Sequence, residues 1–328
     1  MSDYINEANT NIETPPHPDI SVNIAGVHFR NPVIAASGTF GYGCEYASMI
    51  DVSLLGGICT KGLTMIPRQG NEGVRIWETP AGMLNSIGLE NPGIDVFLEK
   101  ELPVLRQLGP VVIANLSGGE ADEYINGAVL LNKSDIDIIE LNISCPNVKV
   151  GGMAFGLNPG TAAALVTAVR RVCTNKPLMV KLTPNSPALA MVALSCIKAG
   201  ADALSLVNTI QAMAIDTVNR KPVFKNISAG LSGPAIKPIA LRMVWELFDI
   251  MEEEKAHVPI VGIGGIACTQ DALEFLMAGA SAIQVGSATF AHPQTMIEII
   301  DGLHEYMKNT GISGINKLSI RGNYGKNN

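Results

Sequence analysis

One thiol stands among polar residues in the segment ELNISCPN, residues 140–147. Cys145 follows an apolar, β-branched run, and its polar neighbours are Asn142, Ser144 and Asn147. The run is typical of a strand that is buried on both faces. Most free cysteines are small buried hydrophobic residues, but an apolar core would have to satisfy each polar neighbour at a cost of about 1–3 kcal/mol. The pattern therefore favours a reactive thiol at the end of a strand.

Two lysines stand at comparable positions, each just after or within an apolar run. Lys61 lies in CTKG and Lys181 in VKLTP. A lysine is rarely buried without a partner, so two at strand ends indicate an anionic ligand or a negative charge that develops during a reaction. Either lysine alone could instead be ion-paired or extend its ammonium group into solvent.

Glycines end the last two apolar runs, in GIGG (262–265) and VGSA (285–288). They let backbone N–H groups approach a ligand closely, and the loops after the seventh and eighth strands of a barrel commonly bind phosphate. A single glycine could equally mark a tight turn. Gly233, just before a helical pattern in GLSGPAIKP, could add to the same site. With the lysines, these glycines point to a phosphorylated, electron-accepting cofactor and a carboxylate substrate.

The histidines do not fall at any of these strand ends. They are His17, His28, His257, His292 and His304. Histidine is the usual general base of enzymes, so its absence here assigns that role to Cys145.

Eight short apolar runs recur along the chain, each followed by a turn and then by a helical pattern. The runs span residues 32–37, 56–62, 111–117, 136–145, 178–184, 203–209, 259–265 and 282–288. Residues 158–174, 186–199 and 234–254 have the spacing of helices with one apolar face. Alternating strands and helices imply parallel pairing, and eight such units close into an α/β fold of the (β/α)8 TIM-barrel type. A doubly wound open sheet is the alternative, but no G-x-G-x-x-G follows the first run.

Three connections are too long to be simple linkers: residues 63–92, 148–157 and 210–233. All three leave the carboxyl ends of predicted strands, where barrels carry their active sites. Long loops in compact domains are usually functional, although insertions also survive because loop closure costs little.

Composition bounds the class of protein. The chain has 328 residues, 47% of them hydrophobic, which is enough for one large barrel domain. We expect a tail at residues 1–20, the barrel at 21–308, and a C-terminal extension at 309–328 that is partly disordered. The formal net charge of −7 argues against a nucleic-acid partner.

Targeting signals and cysteine spacing point to one compartment. The six cysteines are scattered without a C-x-x-C pair, which predicts neither disulfides nor a metal or iron–sulfur site. The sequence lacks the features of a signal peptide and of a membrane span. We therefore expect a soluble cytoplasmic enzyme.

The motifs, taken in order, closely resemble those of the dihydroorotate dehydrogenases, the FMN-containing barrels of pyrimidine synthesis. The resemblance covers residues from about 20 to 308. The matching strings are NPVIAASGTFG (31–41), TKGLT (60–64), NSIGLENPG (85–93), ANLSG (114–118), ELNISCPN (140–147), VKLTPN (180–185), VNT (207–209), GLSGPAIKP (230–238), GIGGI (262–266) and QVGSATF (284–290).

The resemblance also implies a class and a subtype. Cys145 and the missing membrane helix match the soluble class, whose base is a cysteine. The continuation NVKVGGMAFG, with NSIGL, resembles the NAD-dependent catalytic subunit, type 1B, whereas the fumarate-using type 1A typically has methionine where Ile87 stands. That subtype implies a homodimer core with two partner subunits, a heterotetramer in which the partners carry FAD and a [2Fe–2S] cluster. The scattered cysteines agree, because the cluster would then lie on another polypeptide.

Site residues follow from the resemblance position by position. It implies one FMN per chain, contacted by Ser37, Lys61, Gly62, Asn115, Asn142, Lys181, Val207, Gly233, Gly264, Gly265, Gly286 and Ser287. It implies that dihydroorotate or orotate contacts Lys61, Asn85, Ser86, Ile87, Gly88, Leu89, Asn142, Asn147, Asn208 and Thr209. Cys145 would remove a proton from the ring methylene of dihydroorotate, and Lys181 would stabilise negative charge on the reduced flavin.

Besides the fumarate-dependent type 1A enzyme, two other functions stay open at this point. The pyrimidine-reducing barrel of dihydropyrimidine dehydrogenase has similar strings, but its substrates carry no carboxylate for Lys61 to bind. A non-catalytic FMN-binding barrel would be favoured if Cys145 and Lys61 pointed away from the flavin.

Overall fold

The barrel predicted from the apolar runs is present. In the structure, a computed structural model that describes residues 18–144 and 155–320, eight parallel strands form a closed barrel. Each barrel strand lies inside one of the eight runs. The described strands, in chain order, are β1 (Val22–Ile24), β2 (Val27–Phe29), β3 (Val33–Ala35), β4 (Gly57–Cys59), β5 (Ile76–Thr79), β6 (Gly82–Asn85), β7 (Val111–Leu116), β8 (Ile138–Asn142), β9 (Leu178–Lys181), β10 (Ala203–Leu206), β11 (Ile210–Met213), β12 (Ile215–Asp216), β13 (Lys221–Pro222), β14 (Ser228–Ser232), β15 (Ile260–Ile263) and β16 (Ala282–Val285).

The order of strands around the barrel follows the order along the chain. It runs β3-β4-β7-β8-β9-β10-β15-β16, and β16 pairs with β3 to close the ring. Because all eight pairings are parallel, every carboxyl end lies on the same face. The predicted (β/α)8 fold is confirmed, and an open doubly wound sheet is excluded.

From β4 onward, α-helices connect successive barrel strands and bury their apolar stripes against the outside of the barrel, whereas the connection from β3 to β4 contains only the short 3-10 helix Val52–Leu54. In α4, for example, Ala162, Leu165, Val166 and Val169 are buried. The described α-helices are α1 (Ile94–Val96), α2 (Leu102–Leu108), α3 (Ala121–Asn132), α4 (Pro159–Val172), α5 (Leu189–Lys198), α6 (Lys237–Glu253), α7 (Thr269–Met277), α8 (Ala288–Ala291) and α9 (Thr295–Thr310). None of these is long and apolar enough to cross a membrane.

The beginning of α4 follows from its local sequence. The Asn158 side chain accepts hydrogen bonds from the backbone N–H groups of Gly160 and Thr161 at 2.8 and 3.3 Å. Pro159 follows at the first helical position, where its missing N–H costs nothing. The helix therefore begins one residue after the predicted start of the helical pattern at residue 158.

The lower part of the barrel interior is an apolar layer to which each barrel strand contributes one residue. Ile24 and Phe29, from the β1–β2 hairpin, pack into the same cluster, so the hairpin covers the amino-terminal end of the barrel. The eight residues of this layer are Ile34, Cys59, Ile113, Ile138, Met179, Ala203, Val261 and Ala282. Layers of this kind make a barrel interior a packed core.

A second sheet stands above the carboxyl ends of the barrel strands, and we call it the cap sheet. It is antiparallel, has the order β11-β14-β6-β5, and is built from the long connections predicted at residues 63–92 and 210–233. Gly230 in β14 pairs with Gln211 on one side and with Asn85 on the other. Leu84, Phe224 and Ala229 form a small core of its own.

The described part of the C-terminal extension packs onto the barrel. Helix α9 ends at Thr310, and Gly311 follows with a φ of 71°, a left-handed conformation that glycine adopts readily. Ile315 and Leu318 are buried in the main core between helices and barrel. Residues 1–17 and 321–328 of the expected tails lie outside the described residues.

Candidate active site

A cavity of about 770 Å³ lies between the barrel strands and the cap sheet. Every described residue that the sequence predicted as a contact of cofactor or substrate lines it, although their roles stay predictions. They are Ser37, Lys61, Gly62, Asn85, Ser86, Ile87, Gly88, Leu89, Asn115, Asn142, Lys181, Val207, Asn208, Thr209, Gly233, Gly264, Gly265, Gly286 and Ser287. Cys145 and Asn147 lie outside the described residues.

Lys181 stands at the end of β9 and is almost completely buried. Its Nζ donates to Ser37 Oγ at 3.1 Å and lies 3.8 Å from Glu140 Oε2. Burial of an ammonium group requires a partner, and Glu140 supplies the opposite charge. The arrangement presents a compensated positive charge at the cavity wall.

Glu140 lies one layer deeper in the barrel and is fully buried. Burial raises the pKa of this carboxyl, but the Lys181 charge and hydrogen bonds from Cys59, Ser205 and Gln284 outweigh it and hold the pKa below its usual range. The side chain is therefore a carboxylate, held on every side by donors.

Asn142, at the end of β8, joins a small cluster of amides and hydroxyls. Ser144 Oγ donates to Asn142 Oδ1 at 2.5 Å, and Asn208 Nδ2 lies 3.5 Å from the same oxygen. Asn208 Nδ2 also donates to Ser144 Oγ. Tyr124, from α3, donates to the Asn142 carbonyl at 2.9 Å and so anchors the strand end. The cluster offers donors and acceptors suited to a planar ligand with carbonyl and N–H groups.

Lys61 lies between the barrel and the cap sheet and is half-buried. Burial lowers the pKa of its ammonium group; the charge of Glu90 opposes this effect and that of Arg75 adds to it. A half-buried ammonium group beside the segment from Asn85 to Leu89 is suited to bind a carboxylate.

The opposite side of the cavity is built from glycine turns. Gly233 and Gly265 have φ angles of 95° and 73°. A Cβ on Gly265 would lie 2.8 Å from Gly233 O, and one on Gly233 would lie 2.7 Å from Gly82 Cα. Side chains are therefore excluded at both positions.

Backbone donors on this side are available to a ligand. The N–H groups of Gly265, Gly286 and Ser287 donate to no atom of the described residues. Glycine turns whose N–H groups have no partner among the described residues, here just before helices α7 and α8, are typical of phosphate binding. Lys237 lies nearby, but two carboxylates neutralise its charge: its Nζ is 2.7 Å from Asp271 Oδ1 and 3.0 Å from Glu274 Oε2.

Several residues of the site are not predicted from the sequence. Asn185 joins the barrel to the cap sheet: its Nδ2 donates to Thr209 O at 3.2 Å, and its Oδ1 accepts from Gln211 N at 2.9 Å. Its position just after β9, in VKLTPN, is the feature of the sequence that points to a place at the carboxyl end of the barrel. The sequence marks Ser144 only as a polar neighbour of the thiol, and Glu140 only as part of a strand. Among residues 18–144 and 155–320, no group of three or more potential metal ligands is placed to bind a metal ion.

Comparison with known proteins gives a consistent result. The family model described as dihydroorotate dehydrogenase matches residues 19–307. A protein of Petrotoga mobilis is 56% identical over 300 residues, which cover 92% of this chain and 98% of the relative. Proteins of Geotalea daltonii and Thermoanaerobacter pseudethanolicus are 51% and 49% identical, each over 92% of this chain and 97% of the relative. All three relatives are named dihydroorotate dehydrogenase B (NAD(+)), catalytic subunit.

Proposed function

This chain belongs to the dihydroorotate dehydrogenase family, and from that premise we propose that it oxidises dihydroorotate to orotate in pyrimidine synthesis and passes the electrons on to NAD. The observation that carries the proposal is one cavity with three matched parts. Lys181 offers a positive charge at the barrel wall, free N–H groups lie on one side, and Lys61 lies with an amide cluster under the cap sheet.

The residues present fit FMN. The free N–H groups of Gly265, Gly286 and Ser287 would hold its phosphate, and Lys181 and Asn115 would contact its ring system. FMN, when bound, supplies the hydride acceptor of the reaction. The fixed ammonium group of Lys181 would stabilise the negative charge that the reduced ring acquires, at no cost of reorganisation.

The cap-sheet side fits a carboxylated pyrimidine. Lys61 would bind the substrate carboxylate, and Asn85, Asn142 and Asn208 would bind the ring carbonyl and N–H groups. The Asn85 side chain is already oriented, because its Nδ2 donates to Gly230 O at 3.2 Å across the cap sheet. Uracil-type substrates lack the carboxylate, so they would leave the Lys61 ammonium group without an anionic partner and bind more weakly.

We propose Cys145 as the base that takes the proton from the ring methylene. It lies outside the described residues, so its role is supported by its position in the chain, one residue after Ser144, whose side chain lines the cavity. A thiol with an ordinary pKa of about 8.5 is only a few per cent thiolate at neutral pH, so turnover should rise toward alkaline pH.

The test is replacement of Cys145 by alanine. We expect Cys145→Ala to lose at least about a hundredfold in turnover, because general base catalysis typically contributes that much, while yellow FMN stays bound. Bleaching of the flavin by dihydroorotate measures the reaction directly. Cys268→Ala is the matched control, because Cys268 is an exposed cysteine outside the cavity.

Near-normal bleaching by Cys145→Ala would refute the base assignment. Faster bleaching with reduced uracil than with dihydroorotate would favour a pyrimidine reductase, and no bleaching of the unmodified protein by either would favour a non-catalytic barrel.

The partner subunit is a further part of the proposal. The relatives' name as a catalytic subunit supports a separate electron-transfer subunit, and we expect it to carry FAD and a [2Fe–2S] cluster in a heterotetramer around a homodimer of this chain. The scattered cysteines of this chain suit the reducing cytoplasm. Co-purification with a visible spectrum, followed by a comparison of NAD with fumarate as acceptor, tests the subtype. Reduction of fumarate by the isolated chain would contradict it.

A further inference from the structure

Glu140 is a charged residue that does not itself line the cavity. It stands directly behind two side chains that do, Lys181 and Asn115. Asn115 pairs with Glu140 across β7 and β8, and Lys181 follows on the neighbouring strand β9. Any charge or orientation that Glu140 imposes therefore reaches the cavity through these two residues.

The carboxylate is bonded by donors at both oxygens. Oε1 accepts from Ser205 Oγ at 2.8 Å and from Gln284 Nε2 at 2.9 Å. Oε2 accepts from Asn115 Nδ2 at 2.6 Å and from Cys59 Sγ at 3.1 Å. These four donors come from four different barrel strands, so the carboxylate sits at the centre of a polar layer.

Stability of the fold does not explain this layer. Directly below Glu140, the eight residues of the apolar layer fill the same barrel with uncharged side chains, and one of them, Cys59, also donates to the carboxylate. Burying a carboxylate costs free energy that apolar packing avoids, and buried ion pairs are often no more stable than apolar replacements of similar size. The charge of Glu140 is therefore better explained by its effect on the cavity above it.

One effect of Glu140 is to fix the amide of Asn115. An ionised carboxylate can only accept hydrogen bonds, so the Asn115 nitrogen must face Glu140 and the oxygen must face away. Asn115 Oδ1 has one described partner, Ser117 Oγ at 3.4 Å. Glu140 thus fixes which way the Asn115 amide is turned, so that its oxygen, an acceptor, faces away from the carboxylate.

The other effect concerns the charge of Lys181. The ammonium Nζ lies 3.8 Å from Glu140 Oε2, and the side chains of the two residues are 5% and 0% exposed. With little water to screen the pair, the carboxylate cancels much of the field of the ammonium group at the cavity.

We propose that Glu140 is a positioning residue for the flavin: it orients Asn115 and Lys181 toward the cofactor and limits the net positive charge beneath the ring. The inference rests on the proposed FMN site. It predicts that Glu140, without touching cofactor or substrate, sets how strongly the site favours an anionic flavin.

Glu140→Gln tests the charge with little change of shape. The amide oxygen can keep the contacts with Asn115 and Cys59, while the new NH2 group faces Ser205, whose hydroxyl can accept. Gln284 can turn to accept as well, because its Oε1 is buried and has no hydrogen-bond partner. Glu253→Gln is the matched control, the same change at an exposed residue in the last turn of α6.

Sulfite reports the charge beneath the flavin without turnover. Its sulfur lone pair forms a bond to the flavin N5, the displaced electron pair moves into the pyrimidine part of the ring, which becomes anionic, and the yellow colour is lost. Near pH 6, which keeps lysines protonated, we expect Glu140→Gln to bind sulfite about tenfold more tightly or better. Glu253→Gln should leave the affinity unchanged.

The Lys181→Met background separates positioning from a merely structural role. Without the ammonium group, burial favours the protonated form of Glu140, so we expect its replacement to remove little charge. We expect Lys181→Met and the double variant Lys181→Met/Glu140→Gln to bind sulfite equally, within about twofold. This comparison also stands if Glu140→Gln alone fails to fold, since loss of both charges leaves no unpaired ion.

Three results would overturn the inference. The first is that flavin-loaded Glu140→Gln binds sulfite no more tightly than the unmodified protein. The second is that Glu253→Gln gains as much sulfite affinity as Glu140→Gln. The third is that Glu140→Gln increases the sulfite affinity equally in the Lys181→Met background. Failure of the unmodified protein to bind FMN would instead refute the proposed function, so the two failures are distinguishable.

Discussion

Lys61 is the residue whose protonation should control substrate binding. Burial lowers the pKa of its ammonium group, and only the protonated form attracts a carboxylate. The positive charge is present below that pKa and is lost as the pH rises through it. Because the pKa is lowered, the loss begins at a lower pH than for a free lysine, whose pKa is about 10.4.

We therefore expect orotate to bind more weakly as the pH rises through the alkaline range. Isothermal titration of the flavin-loaded protein between about pH 7 and pH 10 measures the change. The uncharged amide of orotate should lack this dependence, and Lys61→Met should bind orotate weakly at every pH. An alkaline loss of orotate affinity that persists in Lys61→Met would assign the titration to another group.

At the scale of residues, polar side chains at the ends of strands can be predicted from the sequence. Polar side chains one layer deeper in the barrel, which contact the cavity residues and not the cavity itself, cannot. Lys61, Asn142 and Lys181 were recognised because each polar group interrupts an apolar run at its end. Glu140 is a single charge inside such a run, and a charged residue in a strand buried on both faces requires partners. Which partners those are depends on the register of the neighbouring strands, and this cannot be read from one segment.

At the scale of elements, burial decides what was predictable. The eight barrel strands are buried on both faces, so their apolar runs stand out, and their predicted positions are confirmed. The cap sheet is predicted only as long connections because few residues of its strands are buried: Ile76, Trp77 and Met213 are exposed, and Leu84 and Ala229 are the buried ones. Its central pair, β6 and β14, joins residues 145 positions apart, as between Asn85 and Gly230.

The separate core of the cap sheet leads to a prediction about substrate affinity. Phe224 is 2% exposed and packs in a cluster distinct from the barrel core. We expect Phe224→Ala to cost about 3–5 kcal/mol locally and to raise the KM for dihydroorotate, while the barrel stays folded and FMN stays bound.

Hydrogen exchange provides the measurement for Phe224→Ala. Amide exchange at residues 76–85 and 210–232 should become about a hundredfold faster, with no change in the barrel strands. Phe275→Ala, a matched change in the main core, should instead destabilise the whole molecule. Unchanged exchange in the cap sheet, or unfolding of the barrel in Phe224→Ala, would contradict the prediction.

At the scale of the whole molecule, the C-terminal segment belongs to the barrel more closely than its sequence indicated. The predicted boundary at residue 308 falls inside α9, and the chain continues into the core through Ile315 and Leu318. Asp19 bridges Gly314, which brings the two described ends of the chain together. The short segment GINKLSI (314–320) hides this role because only two of its apolar side chains, Ile315 and Leu318, are buried.

We expect Ile315→Ala and Leu318→Ala each to lower the free energy of unfolding by about 2–5 kcal/mol, since both side chains are buried. Ile320→Ala, at a position that is 40% exposed, should have a much smaller effect. Urea denaturation of the FMN-loaded protein measures all three. Equal effects at the three positions would mean that the segment does not pack as part of the core.

The pairing of β6 with β14 has a consequence for the newborn chain. A ribosome adding about 5–20 residues per second needs on the order of 10 s to make the 145 residues that separate Asn85 from Gly230. The glycine turns at Gly265 and Gly286 emerge later still. A growing chain that has not reached Gly230 therefore lacks the central pairing of the cap sheet, and one that has not reached Gly286 also lacks part of the glycine-lined side of the cavity.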